Sequence, residues 1–184
     1  MSAGAVESIP AGNFRVWLGE IKLAMSEGSN SDVPCGSCSA CCRSSQFILV
    51  TDADITARSV IPSELLFSAP GLPAGNHVMG YDSRGHCPMF GETGCSIYED
   101  RPQACRAYDC RIFTATDIDV GADGHDEIAS RAQQWQFEMD AEGEIALAAV
   151  RAAAEYVTAN ASTLGLGYSA TARALAAIEL ATKP

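Results

Sequence analysis

Cys35-Gly36-Ser37-Cys38-Ser39-Ala40-Cys41-Cys42 crowds four of the chain's 8 cysteines into one short run. Two-residue gaps let successive thiolates turn inward around one centre, and the small residues between them limit crowding, so the spacing is metal-like. Cys41 and Cys42 are neighbours. In an extended segment their side chains leave opposite faces of the backbone and do not easily serve one metal, which leaves one of them for a second site or an outer role.

Outward from that run, Cys87 stands in Gly85-His86-Cys87-Pro88 and Cys95 in Gly94-Cys95-Ser96-Ile97-Tyr98, while Cys105 and Cys110 bracket Arg106-Ala107-Tyr108-Asp109. All eight, Cys35, Cys38, Cys41, Cys42, Cys87, Cys95, Cys105 and Cys110, are candidate metal ligands. They suffice for two four-thiolate sites, or for one site with reduced cysteines elsewhere. The triplet Cys35, Cys38, Cys41 with a distant Cys87-Pro88 is similar to the cysteine run of bacterial ferredoxins. An all-cysteine donor set of this kind points first to an iron–sulfur cluster, [4Fe–4S] ahead of other types, with zinc as the alternative.

Composition sets the frame. At 184 residues and 47% apolar the chain is sized for a single domain over 1–184 with its own core. A net charge of −11 argues against a nucleic-acid partner, since phosphates repel such a surface. Met1 to Asn13 has neither a basic start nor a continuous apolar run, so no secretory signal is read there. Arg151 and Glu155 interrupt the longest apolar stretch, so no membrane span is expected. A cytoplasmic location follows as an expectation, and reduced cytosolic thiols make metal or redox chemistry a better use for the cysteines than disulfides.

Patterning divides the chain into an N-terminal helix and loop (1–34), a cysteine-bearing region (35–116) and an alanine-rich helical region (126–184), with the acidic, glycine-containing 117–126 as the joint. Phe14, Trp17, Leu18, Ile21 and Met25 fall at helical spacing behind a capping Asn13. Phe47 to Val50 reads as a strand, and Thr51 with Asp54 starts a short helix through about Arg58. Prolines 62, 70 and 73 with several glycines make 61–85 mostly loop, with a short strand near Val78. Asp100-Arg101-Pro102-Gln103 reads as an acidic cap, an early proline and a helix that carries Cys105. Apolar stripes follow at Ile128, Ala132, Trp135 and Met139, then at Ile145, Ala149, Ala152 and Tyr156, and a last helix runs from Ser169 to about Ala181.

Arg43, Arg101, Arg106 and Arg111 flank cysteines and are expected to offset the negative charge of a thiolate site. His86 is a candidate for a mixed Cys/His site, whereas His77 and His125 read as solvated. Tyr98 and Tyr108 read as structural cover, and Trp135, Phe137 and Met139 as core. The acidic pairs Glu99-Asp100 and Asp117 with Asp119 read as caps and loop, so no catalytic residue is assigned.

These motifs together, Cys35-x2-Cys38-x2-Cys41-Cys42, Cys87-Pro88, Gly94-Cys95-Ser96-Ile97-Tyr98 and Arg101-Pro102-x2-Cys105-Arg106-x-Tyr108, resemble the bacterial CxxCxxCC cysteine-cluster proteins. Those are described as zinc- or iron-chelating and as related to flagellin lysine N-methylase. The resemblance covers roughly 35–110 and implies metal chelation by those cysteines. Its methylase side implies S-adenosylmethionine as methyl donor, although the chain has no glycine-rich nucleotide fingerprint between a strand and a helix. The expected fold is mainly α with short β-strands, a small cysteine-rich metal-binding core packed against C-terminal helices. The leading function is an iron–sulfur protein in redox or electron transfer with a protein or redox partner. A zinc-stabilised binding module and a metal-dependent protein-modifying enzyme such as a lysine N-methylase are the alternatives.

Overall fold

The computed structural model describes residues 8–31, 33–69, 71–166 and 169–183; Pro70 and the first seven residues of the N-terminal stretch read above lie outside them. In chain order the elements are β1 (Ile9–Asn13), α1 (Phe14–Glu27), β2 (Ile48–Val50), α2 (Ile55–Val60), β3 (Leu66–Ser68), β4 (His77–Met79) and β5 (Phe90–Gly91). There follow β6 (Gly94–Cys95), α3 (Gln103–Arg106), α4 (Arg111–Thr116), α5 (Asp126–Ala132), β7 (Trp135–Glu138), α6 (Ala141–Ala159) and α7 (Ala170–Ala181). The fold is mainly α with short strands, and 3-10 turns lie at Ala40–Arg43, Ser63–Leu65 and Gly121–Asp123. No helix among the described residues is long and apolar enough to cross a membrane. The elements gather into two compact units, Ala24–Tyr108 and the residues on either side of it.

In the flanking unit, Asn13 caps α1 as expected: its Oδ1 accepts the amides of Arg15 at 3.0 Å and Val16 at 3.2 Å. Phe14, Trp17 and Ile21 are buried, but Ala24 rather than the expected Met25 completes the stripe, and Met25 is exposed. Phe137 meets Phe14 edge-on at 5.2 Å and Trp17 at 4.9 Å. Trp135 and Met139 do not share a helical stripe. Trp135-Gln136-Phe137-Glu138 alternates apolar and polar, the period of a strand, and it forms β7, paired in parallel with β1. Trp135 is nevertheless core, as read from the sequence, while Met139 is exposed. Pro10 is tolerated in β1 because a two-stranded sheet is all edge.

The alanine-rich region also turns a different face inward. Ile145 (71% exposed) and Tyr156 (55%) point to solvent, while Val150, Ala153, Ala154 and Val157 are buried. Ala170, Ala174, Ala177 and Ile178 form the buried face of α7. Small side chains on both helices let the backbones approach closely, and bulky residues on the opposite face do not compete for that seam. Asp140 caps α6 by accepting the Gly143 amide at 2.6 Å, and Ser169 caps α7 by accepting that of Ala172 at 3.2 Å.

In the Ala24–Tyr108 unit, β2, β4 and β3 make an antiparallel sheet in that order. The strands at Phe47–Val50 and Val78 were legible, whereas β3 falls in the region read as loop. Opposed residues Ile48, Met79 and Leu66 turn to a core that also holds Val50, Ala57, Ile61, Cys87 and Ile97. The short β5–β6 hairpin sets Phe90 opposite Cys95.

Candidate metal centre

Seven of the eight candidate cysteines belong to the Ala24–Tyr108 unit. Cys41 and Cys42 sit in the 3-10 turn Ala40–Arg43, not in the extended segment that the sequence suggested. With about three residues per turn, neighbours there diverge by about 120° rather than 180°. The amide of Cys38 donates to the carbonyl of Cys35 at 3.0 Å, and that of Cys42 to Ser39 at 3.0 Å, which curls the run on itself.

The second group is brought to the first by backbone pairing. The Cys87 amide donates to the Cys42 carbonyl at 2.7 Å, and the Ser45 amide to the Gly85 carbonyl at 2.8 Å. Cys42 and Cys95 pack on the same apolar cluster that contains the buried Cys87. Cys105 comes in on α3, which lies against β2. The first amide of that helix, at Gln103, donates to Asp54 Oδ1 at 2.7 Å. Asp54, expected to serve only its own turn with Thr51, thus caps two segments: its Oδ2 also accepts the Thr51 amide at 2.8 Å. The sequence suggests Asp100 as the acidic cap here, but the Asp54 carboxylate, 49 residues before Gln103, takes the Gln103 amide.

Burial and mutual proximity act together on the sulfurs. Desolvation first, then the neighbouring thiols of Cys42, Cys35 and Cys38, pushes the Cys41 thiol up to about 12. Desolvation, followed by Cys87 and Cys95 ahead of Cys38 and Cys35, raises Cys42 to about 11. Cys105 is raised to about 12 by desolvation and then by Cys87, Cys42, Cys41 and Cys95. Cys87 is raised by burial, with Cys95 among its neighbours. Several thiolates so close in apolar surroundings repel one another, and a bound cation is what would let them ionise together. The donor set therefore fits a thiophilic metal. Among the described residues no three metal-ligating side chains already stand close enough to hold an ion, so binding would draw the sulfurs inward.

Three of the four arginines expected to offset thiolate charge have partners other than sulfur. Arg106 donates to the carbonyls of Arg101 at 2.9 Å and Glu99 at 2.8 Å, tying down the turn before α3. Arg101 donates to the Tyr98 carbonyl and lies 3.9 Å over the Tyr98 ring. Arg111 is buried and pairs with Asp109 at 2.8 Å. At Arg101 and Arg106 the guanidinium donates to turn carbonyls, its five fixed donors suiting scattered backbone acceptors.

Histidine joins little of this. His77 Nδ1 lies 3.0 Å from the Gly75 carbonyl, and the His86 ring stands edge-on to Phe90 at 5.8 Å. Tyr98 is exposed, and Tyr108 accepts from Gln46 at 3.3 Å. Cys110 lies in the flanking unit, where it precedes α4 and its sulfur accepts the Trp135 indole N–H at 3.2 Å. That unit also buries Asp109, whose carboxylate takes the Trp17 indole N–H at 2.9 Å together with the Arg111 guanidinium.

No curated protein and no solved structure matches the chain. Its residues 34–133, more than half of its length, match one family and extend the cysteine motifs through α4 and α5. The chain belongs to the CxxCxxCC family, described as "Putative zinc- or iron-chelating domain".

Proposed function

We propose that this chain binds metal through the cysteines of the Ala24–Tyr108 unit, as an iron–sulfur centre with a redox or electron-transfer role. The observation that carries the reading is the convergence of two cysteine groups on one apolar core, with Cys42, Cys87 and Cys95 packed together. Thiolate-only coordination suits iron–sulfur clusters, and apolar cover with few charged neighbours tunes their potential. The cysteines would hold the cluster, orient it by the 3-10 turn and the β5–β6 hairpin, and limit water at its sulfurs. A reducing compartment such as the cytoplasm goes with this use of thiols. The partner would be another redox protein.

A structural zinc site is the second reading. It is favoured by the same burial, since Cys87 belongs to the hydrophobic core itself and a metal there would staple the unit. Anaerobic purification followed by iron, acid-labile sulfide and zinc analysis with a visible spectrum separates the two. Iron and sulfide in near-equal amounts with a brown chromophore that bleaches on reduction are expected. Colourless protein carrying zinc alone would replace the redox reading with the structural one.

A further inference from the structure

Helix α6 carries two apolar faces, and its own chain covers one of them. Val150, Ala153, Ala154 and Val157 are buried, the last three in a cluster with Ala177 of α7. Ala141, Ile145, Ala148, Ala149, Ala152 and Tyr156 are exposed, and they recur at the three- and four-residue spacing of a single helix face. A surface helix ordinarily turns polar side chains to solvent there. Here large apolar residues, Ile145 and Tyr156, stand at either end of an alanine floor.

The charges beside this face select what can cover it. Glu144 and Arg151 lie two turns apart on the same flank, and among the described residues neither forms an ion pair. A two-fold contact requires one patch to meet itself. Two copies of α6 laid antiparallel, with Arg151 opposite Glu144 of the second copy, make that ion pair twice. Ile145 then falls against the second copy's Ala149 and Ala152, and Tyr156 reaches its exposed Met139. Glu155 comes near the second copy's Asp140, whose charge Arg15 already offsets at 3.4 Å. Parallel helices in register would instead set Arg151 beside Arg151 and Glu144 beside Glu144, two like-charge contacts, and would align the helix dipoles unfavourably.

We propose that the outer face of α6 is the contact surface of a two-fold dimer of this chain, with the helices antiparallel and Arg151 of each copy against Glu144 of the other. The alanines let the two helix axes approach to about 8 Å, the close end of helix packing. The contact is modest in size. The helix has 19 residues. At about 1.5 Å per residue it is roughly 28 Å long, and one such face buries on the order of 400 Å² per copy, half of the ~800 Å² of a standard interface. The dimer is therefore weak and forms in the micromolar range.

Sedimentation velocity of the full chain across the micromolar range tests this, without oxygen and with a reductant so that no disulfide links two chains. The wild type is expected to pass from monomer to dimer as concentration rises. Ala149→Glu, at an exposed position, is expected to keep the dilute protein's melting temperature and to remain monomeric throughout. Arg151→Glu is expected to weaken the dimer about tenfold, by losing two ion pairs and gaining two like-charge contacts. Adding Glu144→Arg to it should restore the wild-type affinity. A wild type that stays monomeric at every concentration overturns the proposal, as does a dimer that persists in Ala149→Glu. A wild-type dimer whose charge-reversed double variant fails to recover overturns the antiparallel pairing, and that comparison stands even if Ala149→Glu does not fold.

Discussion

Gly85 lets the two cysteine-bearing loops meet. Its φ of +78° lies in the left-handed region, and a Cβ there would run into the Ser45 hydroxyl. Ser45 is itself left-handed, at φ 50°, so both sides of the contact are conformationally committed. Gly85→Ala is expected to cost at least about 1–2 kcal/mol from backbone conformation alone. It should also lower metal retention, because the Ser45–Gly85 pairing lies next to the Cys42–Cys87 bond; denaturant titration and metal analysis check both. Asp109 and Arg111 are buried together. Asp109→Ala leaves a buried guanidinium and the Trp17 indole without their acceptor, and about 3–5 kcal/mol of stability should be lost in urea unfolding. Asp82 supplies a pH signature. The His86 amide, and then the Arg84 side chain, hold its carboxyl down to about 2 from an ordinary 3.8. A carboxyl lowered on folding stabilises fully above 3.8 and loses that contribution as pH falls through about 2. Carbon-detected NMR titration should place its midpoint near 2, and Asp82→Asn should remove this part of the acid dependence.

At the scale of elements, α6 tests which face is buried. Val150 is fully buried, whereas Ile145 is 71% exposed. Val150→Ala should cost about 2 kcal/mol, from lost methyl burial plus the cavity left behind. Ile145→Ala, although it removes more carbon, should stay within about 0.5 kcal/mol. Thermal unfolding of the two variants side by side decides the matter, and the opposite order would return the buried stripe to Ile145 and Tyr156. The stripe read from the sequence, Ile145, Ala149, Ala152 and Tyr156, lies about one position off the face that is buried. The helix instead buries Val150, Ala153, Ala154 and Val157, where small and medium side chains let it approach the alanines of α7 closely.

For the whole molecule, the proposed metal binding would link metal to stability. Binding the native form alone stabilises by mass action, about 2.7 kcal/mol at a hundredfold excess over the dissociation constant. Because the sulfurs would have to give up protons and draw together to hold a metal, its removal should loosen the Ala24–Tyr108 unit first. Hydrogen exchange after chelation is expected to show amides of β2, β4 and α3 losing protection while those of α6 and α7 keep theirs. Uniform loss across both units, or none in either, would contradict metal-coupled folding of the cysteine-bearing unit.

What could be read in the sequence was local: the cap at Asn13 and helix α1, the strand at Phe47–Val50, the last helix behind Ser169, and the cysteine spacing that places the chain in its family. Each depends on periodicity or on a residue within a few positions, so no distant partner is needed to see it. The remaining features waited on the tertiary structure. β7 needs β1 beside it, more than a hundred residues away, before its alternation outweighs a plausible helical stripe. Asp54 reaches the Gln103 amide only after the chain between them has folded back. Arg101 and Arg106, beside the cysteines, turn to backbone carbonyls, a choice made by the geometry of the turns, and Arg111 turns to the buried Asp109 carboxylate. The same holds at the candidate centre: spacing marks Cys35, Cys38, Cys41 and Cys42 as a group, but only the packing of β2, β5, β6 and α3 shows which sulfurs have distant cysteines for neighbours.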